Sequence, residues 1–246
     1  MLLLGFSIII IIVIMILLLF GANIIMMSIM HTGETEVAFV EASSSDFIVQ
    51  NTSSFIDENK IMHVYGQVKN MADKAMTNVV VKAFFYDGSG KLLNEFQRSC
   101  ELRTINPSSL CPFEILYIDT KTVGNIKDFK LSAIGTPTNS SKPTALKIHS
   151  DNSKLDILGF YYINGRILNE GSLTATNSHA IATLYGKDGN VIAIARALAE
   201  PVNIAPNSQA AFGLAATQKL QTHKVKSYSL IADSDQYMSL PIFESK

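Results

Sequence analysis

Two cysteines, five histidines and a few paired acids are the side chains of this 246-residue sequence best suited to chemistry. Cys100 and Cys111 flank a turn built on Pro107. A bond between them closes a loop of about 12 residues and stabilises by about 3 kcal/mol in the chain-entropy picture. The competing reading is a pair of buried thiols. The disulfide is the expectation, on opposed neighbouring strands, and it suits an oxidising compartment.

His31, His63, His149, His179 and His223 show no metal-ligand spacing and read as scattered surface or strand residues. Asp87-Gly-Ser-Gly90 and Asp233-Ser-Asp235 offer oxygens, but calcium takes about six to eight of them and turn chemistry explains both runs. Met15, Met26, Met27, Met30 and His31 are soft ligands on paper for copper(I). In an apolar run they read more simply as helix-surface residues. No metal and no cofactor is therefore expected. The sequence has no Gly-x-Ser-x-Gly, phosphate loop or dinucleotide fingerprint, so the expectation is a protein that is not an enzyme. Asn51-Thr-Ser53 and Asn139-Ser-Ser141 match the glycosylation acceptor pattern and are expected in loops or linkers. Tyr65, Tyr86, Tyr117, Tyr161, Tyr162 and Tyr185 have the amphipathic character of a recognition face. Ordinary strand packing is the preferred reading of them.

Lys and Arg number 20 against 21 Asp and Glu, a net charge of −1. That balance lacks the cationic excess of a nucleic-acid binder. Two cysteines cannot build a disulfide-dense scaffold or a four-thiolate zinc site.

These side chains need elements to hold them. From Leu2 to Phe20 only Gly5 and Ser7 interrupt Leu, Ile, Val, Met and Phe, apolar character runs on to Met30, and Glu34 is the first charge. At a rise of about 1.5 Å per residue this length matches the hydrocarbon core of a bilayer. No early Lys or Arg and no small-residue cleavage site accompany it. The expectation is an uncleaved single-pass anchor meeting membrane lipid through residues 2–30, with the N-terminus cytoplasmic and the acid-rich remainder extracytoplasmic.

Beyond the anchor the sequence repeats itself at an offset of 99 without a gap. Gly66 and Asn70 fall on Gly165 and Asn169, Thr77-Asn78 on Thr176-Asn177, Tyr86 on Tyr185, Gly90 on Gly189, Pro107 on Pro206 and Phe113 on Phe212. Cys100 and Cys111 fall together on Ala199 and Ala210, as a bonded pair would. The apolar period within each copy is two: Val64, Gly66 and Val68 alternate with Tyr65, Gln67 and Lys69. Turn signals such as Asp87-Gly-Ser-Gly90 and Lys187-Asp-Gly-Asn190 separate the runs. The predicted fold is all-β: two tandem antiparallel β-sandwiches of immunoglobulin-like architecture after one transmembrane helix. The boundaries are 1–30 for the anchor, 31–45 for a stalk, 46–136 and 145–236 for the sandwiches, 137–144 for a Pro/Ser/Thr-rich linker and 237–246 for a C-terminal tail.

Tyr65-Gly66-Gln-Val68-Lys-Asn70, Asn78-Val79, Ala83-Phe-Phe85-Tyr86-Asp87, Gly90 and Pro107 resemble the FxLYD domains of extracytoplasmic archaeal and bacterial proteins. The second copy follows more loosely, with Gly165-Arg-Ile167-Leu-Asn169 and Ala182-Thr-Leu184-Tyr185-Gly186. Both copies carry Ala in place of the leading Phe, and the second has Gly in place of Asp. The resemblance implies a sandwich fold and a surface location, and it brings no catalytic residues. The expected function is a non-catalytic, membrane-anchored binding or spacer module of the cell envelope. The alternatives are an accessory subunit of a larger complex with membrane-protein partners and, last, an extracytoplasmic enzyme without a recognisable motif.

Overall fold

Alternating side chains put half of each predicted strand on one face, and the chain responds by pairing strands into four antiparallel sheets. The computed structural model describes residues 46–245. The expected anchor, its orientation, the stalk and the methionine cluster with His31 lie outside the described residues. No helix among the described residues is long and apolar enough to cross a membrane.

The first half contains β1 (Phe47–Ile56), β2 (Met62–Asn70), β3 (Ala75–Tyr86), β4 (Leu92–Ser99), β5 (Thr104–Ile105), β6 (Leu110–Tyr117) and β7 (Asp128–Thr138). One sheet runs β1-β2-β6; in the other, β3 pairs with β4 and β5 and also with β7. The second half contains β8 (Leu146–Leu155), β9 (Tyr161–Asn169), β10 (His179–Tyr185), β11 (Val191–Leu198), β12 (Gln209–Ala216), the short helix α1 (Lys219–Thr222), β13 (Ser227–Asp233) and β14 (Ile242–Ser245). Its sheets run β8-β9-β12 and β11-β10-β13-β14. Each half is thus a β-sandwich whose core lies between its two sheets, with Val64, Val68 and Phe113 meeting Val81, Ala83 and Phe85 in the first. Ile163, Ile167 and Phe212 meet Ala180, Ala182 and Leu184 in the second.

The 99-residue register is carried by the structure strand for strand. β1, β2, β4 and β6 recur at that offset as β8, β9, β11 and β12 with the same lengths. The left-handed backbone positions recur too: Asn78 (φ 51°) with Asn177 (φ 55°), Ser108 (φ 63°) with Asn207 (φ 57°), Gly90 (φ 82°) with Gly189 (φ 74°). Asn tolerates that region because its short side chain bonds locally.

The repeated Gly and Asn, and Asp87 of the first copy, have direct structural causes. Asn70 is fully buried; its amide donates to the Lys74 and Ile105 carbonyls and its oxygen accepts from the Ala72 N–H. Asn169 repeats the arrangement with Leu173, Ile204 and Gly171. Gly66 and Gly165 lie under the rings of their strand partners Phe113 and Phe212, where a Cβ would stand 2.7 and 2.6 Å from the ring. Asp87 Oδ1 accepts the Ser89 and Lys91 N–H groups and closes its own turn.

A sandwich with two free outer faces would bury only alternate residues, yet β2 is buried from Met62 to Val68 and β10 along its whole length. Of the outward side chains of β2, Tyr65 and Gln67 meet the second half: Tyr185, Val191 and Ile194 cluster with Tyr65 and Phe55, and Gln67 bonds Tyr185. Ile181, Ile231 and Met238 join the core cluster of the first half. The described residues belong to one compact unit. The expected linker is part of it: β7 runs on to Thr138, and the Lys142 backbone exchanges two bonds with the Asn106 side chain. Lys142 Nζ is buried against Asp233 Oδ1 at 2.6 Å and the Ser234 carbonyl at 2.7 Å. The expected tail carries buried Tyr237 and Met238 and then β14.

Candidate binding cleft

Cys100 and Cys111 are bonded, with Cα atoms 5.9 Å apart. They do not face each other within one ladder. Cys111 pairs with Val68 inside the β1-β2-β6 sheet, while Cys100 follows β4 in the other sheet, so the bond ties the two sheets together at their edge. The second half makes the same closure with backbone alone: Glu200 and Ala211 exchange N–H···O bonds of 2.8 and 3.0 Å, and Ala199 and Ala210 are buried where the sulfurs would be.

The bond fixes the segment that follows Cys100. Glu101 N–H donates to the Pro112 carbonyl and Cys100 N–H to the Val79 carbonyl, which leaves the Glu101 and Arg103 side chains facing the second half. Arg98 comes from β4, Arg196 from β11 and His179 from the first position of β10. Together with the bulged segment Thr77–Val79 they line an open cleft of about 600 Å³ at the junction of the two halves. That is within the range of small-molecule sites.

The walls are charged and mostly cationic. Arg196 Nη1 lies 4.0 Å from Glu101 Oε2, and Arg103 Nη1 pairs with Asp235 Oδ1 at 2.9 Å. Burial pushes the Glu101 carboxyl above its ordinary value, and the charges of Arg196 and Arg98 only partly oppose this. Asp235 is held low, first by the hydroxyl of Thr176 and also by the Asn177 amide and the Arg103 charge. Three guanidinium groups thus face one half-buried glutamate and one aspartate at the rim. Guanidinium forks match carboxylate, phosphate and sulfate oxygens two at a time. This arrangement can hold an anionic group.

His179 forms the inner wall. Its Nδ1 bonds the Asn177 carbonyl at 3.0 Å and its Nε2 stands 3.9 Å from Asp233 Oδ2. Burial holds this imidazole below its ordinary value. His63 has the opposite character. It stacks on Phe55 at 4.7 Å and 8°, and sits between Glu114 Oε1 at 2.8 Å and Asp57 Oδ2 at 3.5 Å. Burial opposes its charge, but the hydrogen bond and charge of Glu114, with Asp57, raise it above the usual histidine value.

The remaining sequence candidates fall elsewhere. Asn139 is exposed just after β7. Asn51 lies inside β1, not in a loop, at the bulge between Gln50 and Ser53, and its amide donates to Gln67 Oε1 at 3.1 Å. Of the six tyrosines, Tyr65, Tyr117, Tyr161 and Tyr185 are buried and Tyr86 and Tyr162 half-buried, which is strand packing. Asp87, Asp233 and Asp235 already accept from protein donors. Among the described residues no group of three His, Cys, Asp or Glu is arranged to hold a metal ion. Sequence reading missed Arg98, Glu101, Arg103 and Arg196 entirely. Their one signal was proximity to Cys100, which put the first three within five residues of an expected crosslink.

No protein-family model matches the sequence, and no curated protein is similar to it. Solved structures with a distant likeness include a red sea bream transglutaminase, with TM-score 0.28 and 9% identity over 80% of this chain and 31% of that one. An exo-chitosanase of Amycolatopsis orientalis has TM-score 0.30 and 9% identity over 80% of this chain and 26% of its own. A β-glucuronidase of Bacteroides uniformis has TM-score 0.24 and 12% identity over 75% and 26%. The chain spans less than a third of the length of each.

Proposed function

We propose that this chain is a non-catalytic, membrane-anchored binding module of the cell envelope, built from two FxLYD-like sandwiches, and that it holds an anionic group in the cleft at their junction. The observation that carries the reading is the convergence of Arg98, Arg103 and Arg196 from both halves on one cavity of about 600 Å³. A cleft shared by two halves keeps its shape only if the halves are fixed, and the β2–β10 contact and the Lys142 clamp supply that. The disulfide suits an oxidising exterior, and the apolar residues 2–30 suit an anchor.

Titration of the full chain in mild detergent with a carboxylated oligosaccharide, a sulfated one and a neutral one tests this. Binding of either acidic probe that weakens with salt and drops at least about tenfold in Arg98→Ala/Arg196→Ala is expected, since charge-assisted bonds contribute about 1.5–3 kcal/mol each. Equal binding of the neutral probe, or none of the three, contradicts the reading.

A further inference from the structure

We propose that the free edge of β7 is a docking site for a second copy of this chain, paired antiparallel about Phe129. The internal repeat shows that this edge is built to carry a strand. In the second half the equivalent edge, β13, is covered by β14, with Leu230 opposite Ile242 and Tyr228 opposite Glu244. In the first half β7 pairs with β3 alone among the described residues. None of the described residues supplies the missing strand. β13 stops at Asp233 and turns back through Ser234 and Tyr237, whereas β7 continues straight to Thr138 and delivers the chain to β8.

No strand among the described residues covers the edge, although the Phe129 N–H donates to its neighbour Asp128 Oδ1 at 2.8 Å, and apolar surface is left unfinished. Tyr228 and Leu230 are buried beneath β14, while their counterparts Phe129 and Leu131 are only half-buried against the first core. An added strand would complete that burial. An open strand edge is a ready template for pairing, and its side chains select what pairs.

Those side chains are self-complementary. Asp128 and Lys130 are both exposed and flank Phe129 on the outer face of the strand, with Lys130 Nζ over the Tyr86 ring at 5.4 Å. In a two-fold antiparallel pair centred on Phe129, each Asp128 stands opposite the Lys130 of the other copy, and the two Phe129 side chains lie together on the core face. Shifting the pair by two residues so that it centres on Leu131 loses both charge pairs. The edge thus prefers its own copy in one register over an arbitrary strand.

Mass measurement of the full chain in mild detergent, by sedimentation or native mass spectrometry, tests the proposal. The wild type is expected at twice the 26.9 kDa chain mass. Asp128→Lys and Lys130→Asp, each on exposed positions that leave the fold intact by circular dichroism, are expected at one chain mass. The double variant D128K/K130D restores the pairing within itself, and mixing the two single variants restores it between them. A wild type of one chain mass overturns the proposal. So does a dimer indifferent to either single reversal, or single-variant losses that neither the double variant nor the mixture repairs.

Discussion

Gln67 donates its side-chain amide to the Tyr185 hydroxyl at 3.0 Å, and that hydroxyl meets Ser229 Oγ at the same distance. Gln67 stands on the outward face of a strand in the first sandwich, and Tyr185 and Ser229 stand on the outward face of a sheet in the second. Faces that a lone sandwich would give to water are therefore a second, internal core. The two halves are expected to unfold together, in one urea transition followed by fluorescence and circular dichroism. Ile181→Asp places a charge in that layer, where the wild-type side chain is fully buried, and should split the transition in two. A wild type that unfolds in two steps contradicts a fused unit.

The buried asparagines are structural clamps. Asn70→Ala and Asn169→Ala each strand two carbonyls and one N–H, and each should cost about 2–4 kcal/mol in chemical denaturation. Equal losses at the two positions are expected because the three bonds are the same in both halves.

The two strand glycines should differ. The three atoms nearest a Cβ at Gly66 are side-chain atoms of Phe113 and Thr52, at 2.7 to 3.0 Å, whereas at Gly165 the nearest is the His149 carbonyl oxygen at 2.1 Å. Gly66→Ala is expected to cost about 1–3 kcal/mol as its neighbours shift, and Gly165→Ala more, because backbone must move. Urea midpoints of the two variants provide the comparison.

Stability should peak at mildly acidic to neutral pH. The folded pKa of His63 is raised, so its contribution is complete below the ordinary histidine value of about 6.5 and is lost as pH rises through the folded pKa. Glu114 is lowered: burial opposes the shift, but bonds from His63 and Tyr65 outweigh it. Its contribution is present above the ordinary glutamate value and fades as pH falls through the folded one. In His63→Gln the loss of stability on the alkaline side should flatten, as read from urea midpoints across the pH range.

Reduction of the Cys100–Cys111 bond should lower stability by about 3 kcal/mol. It should also weaken any anionic ligand, since the bond holds the segment that carries Glu101 and Arg103. Thermal melts and titrations with and without a reductant separate the two effects.

Much of the fold was legible because the residues that repeat at 99 are those whose backbone has no alternative. Gly66 fits under an aromatic ring, Asn70 satisfies three buried backbone groups, and Asn78 takes a left-handed φ. The disulfide was legible because both sulfurs give way to alanine together in the other copy. The junction was not. His63, Tyr65 and Gln67 have the composition of a solvated strand face, and only the second half, from more than a hundred residues away, buries Tyr65 and Gln67. The cleft was hidden for the same reason. Arg98 and Arg196 are not equivalent in the repeat, since Arg98 falls on Ala197 and Arg196 on Gln97, and nothing local in either copy shows that the two face one cavity.

Hydrogen exchange of the full chain, with and without a saturating acidic oligosaccharide, bears most directly on the cleft. Protection confined to residues 77–79, 98–104 and the segments around His179 and Arg196 is the predicted result. Protection that appears elsewhere while those segments exchange unchanged would contradict it.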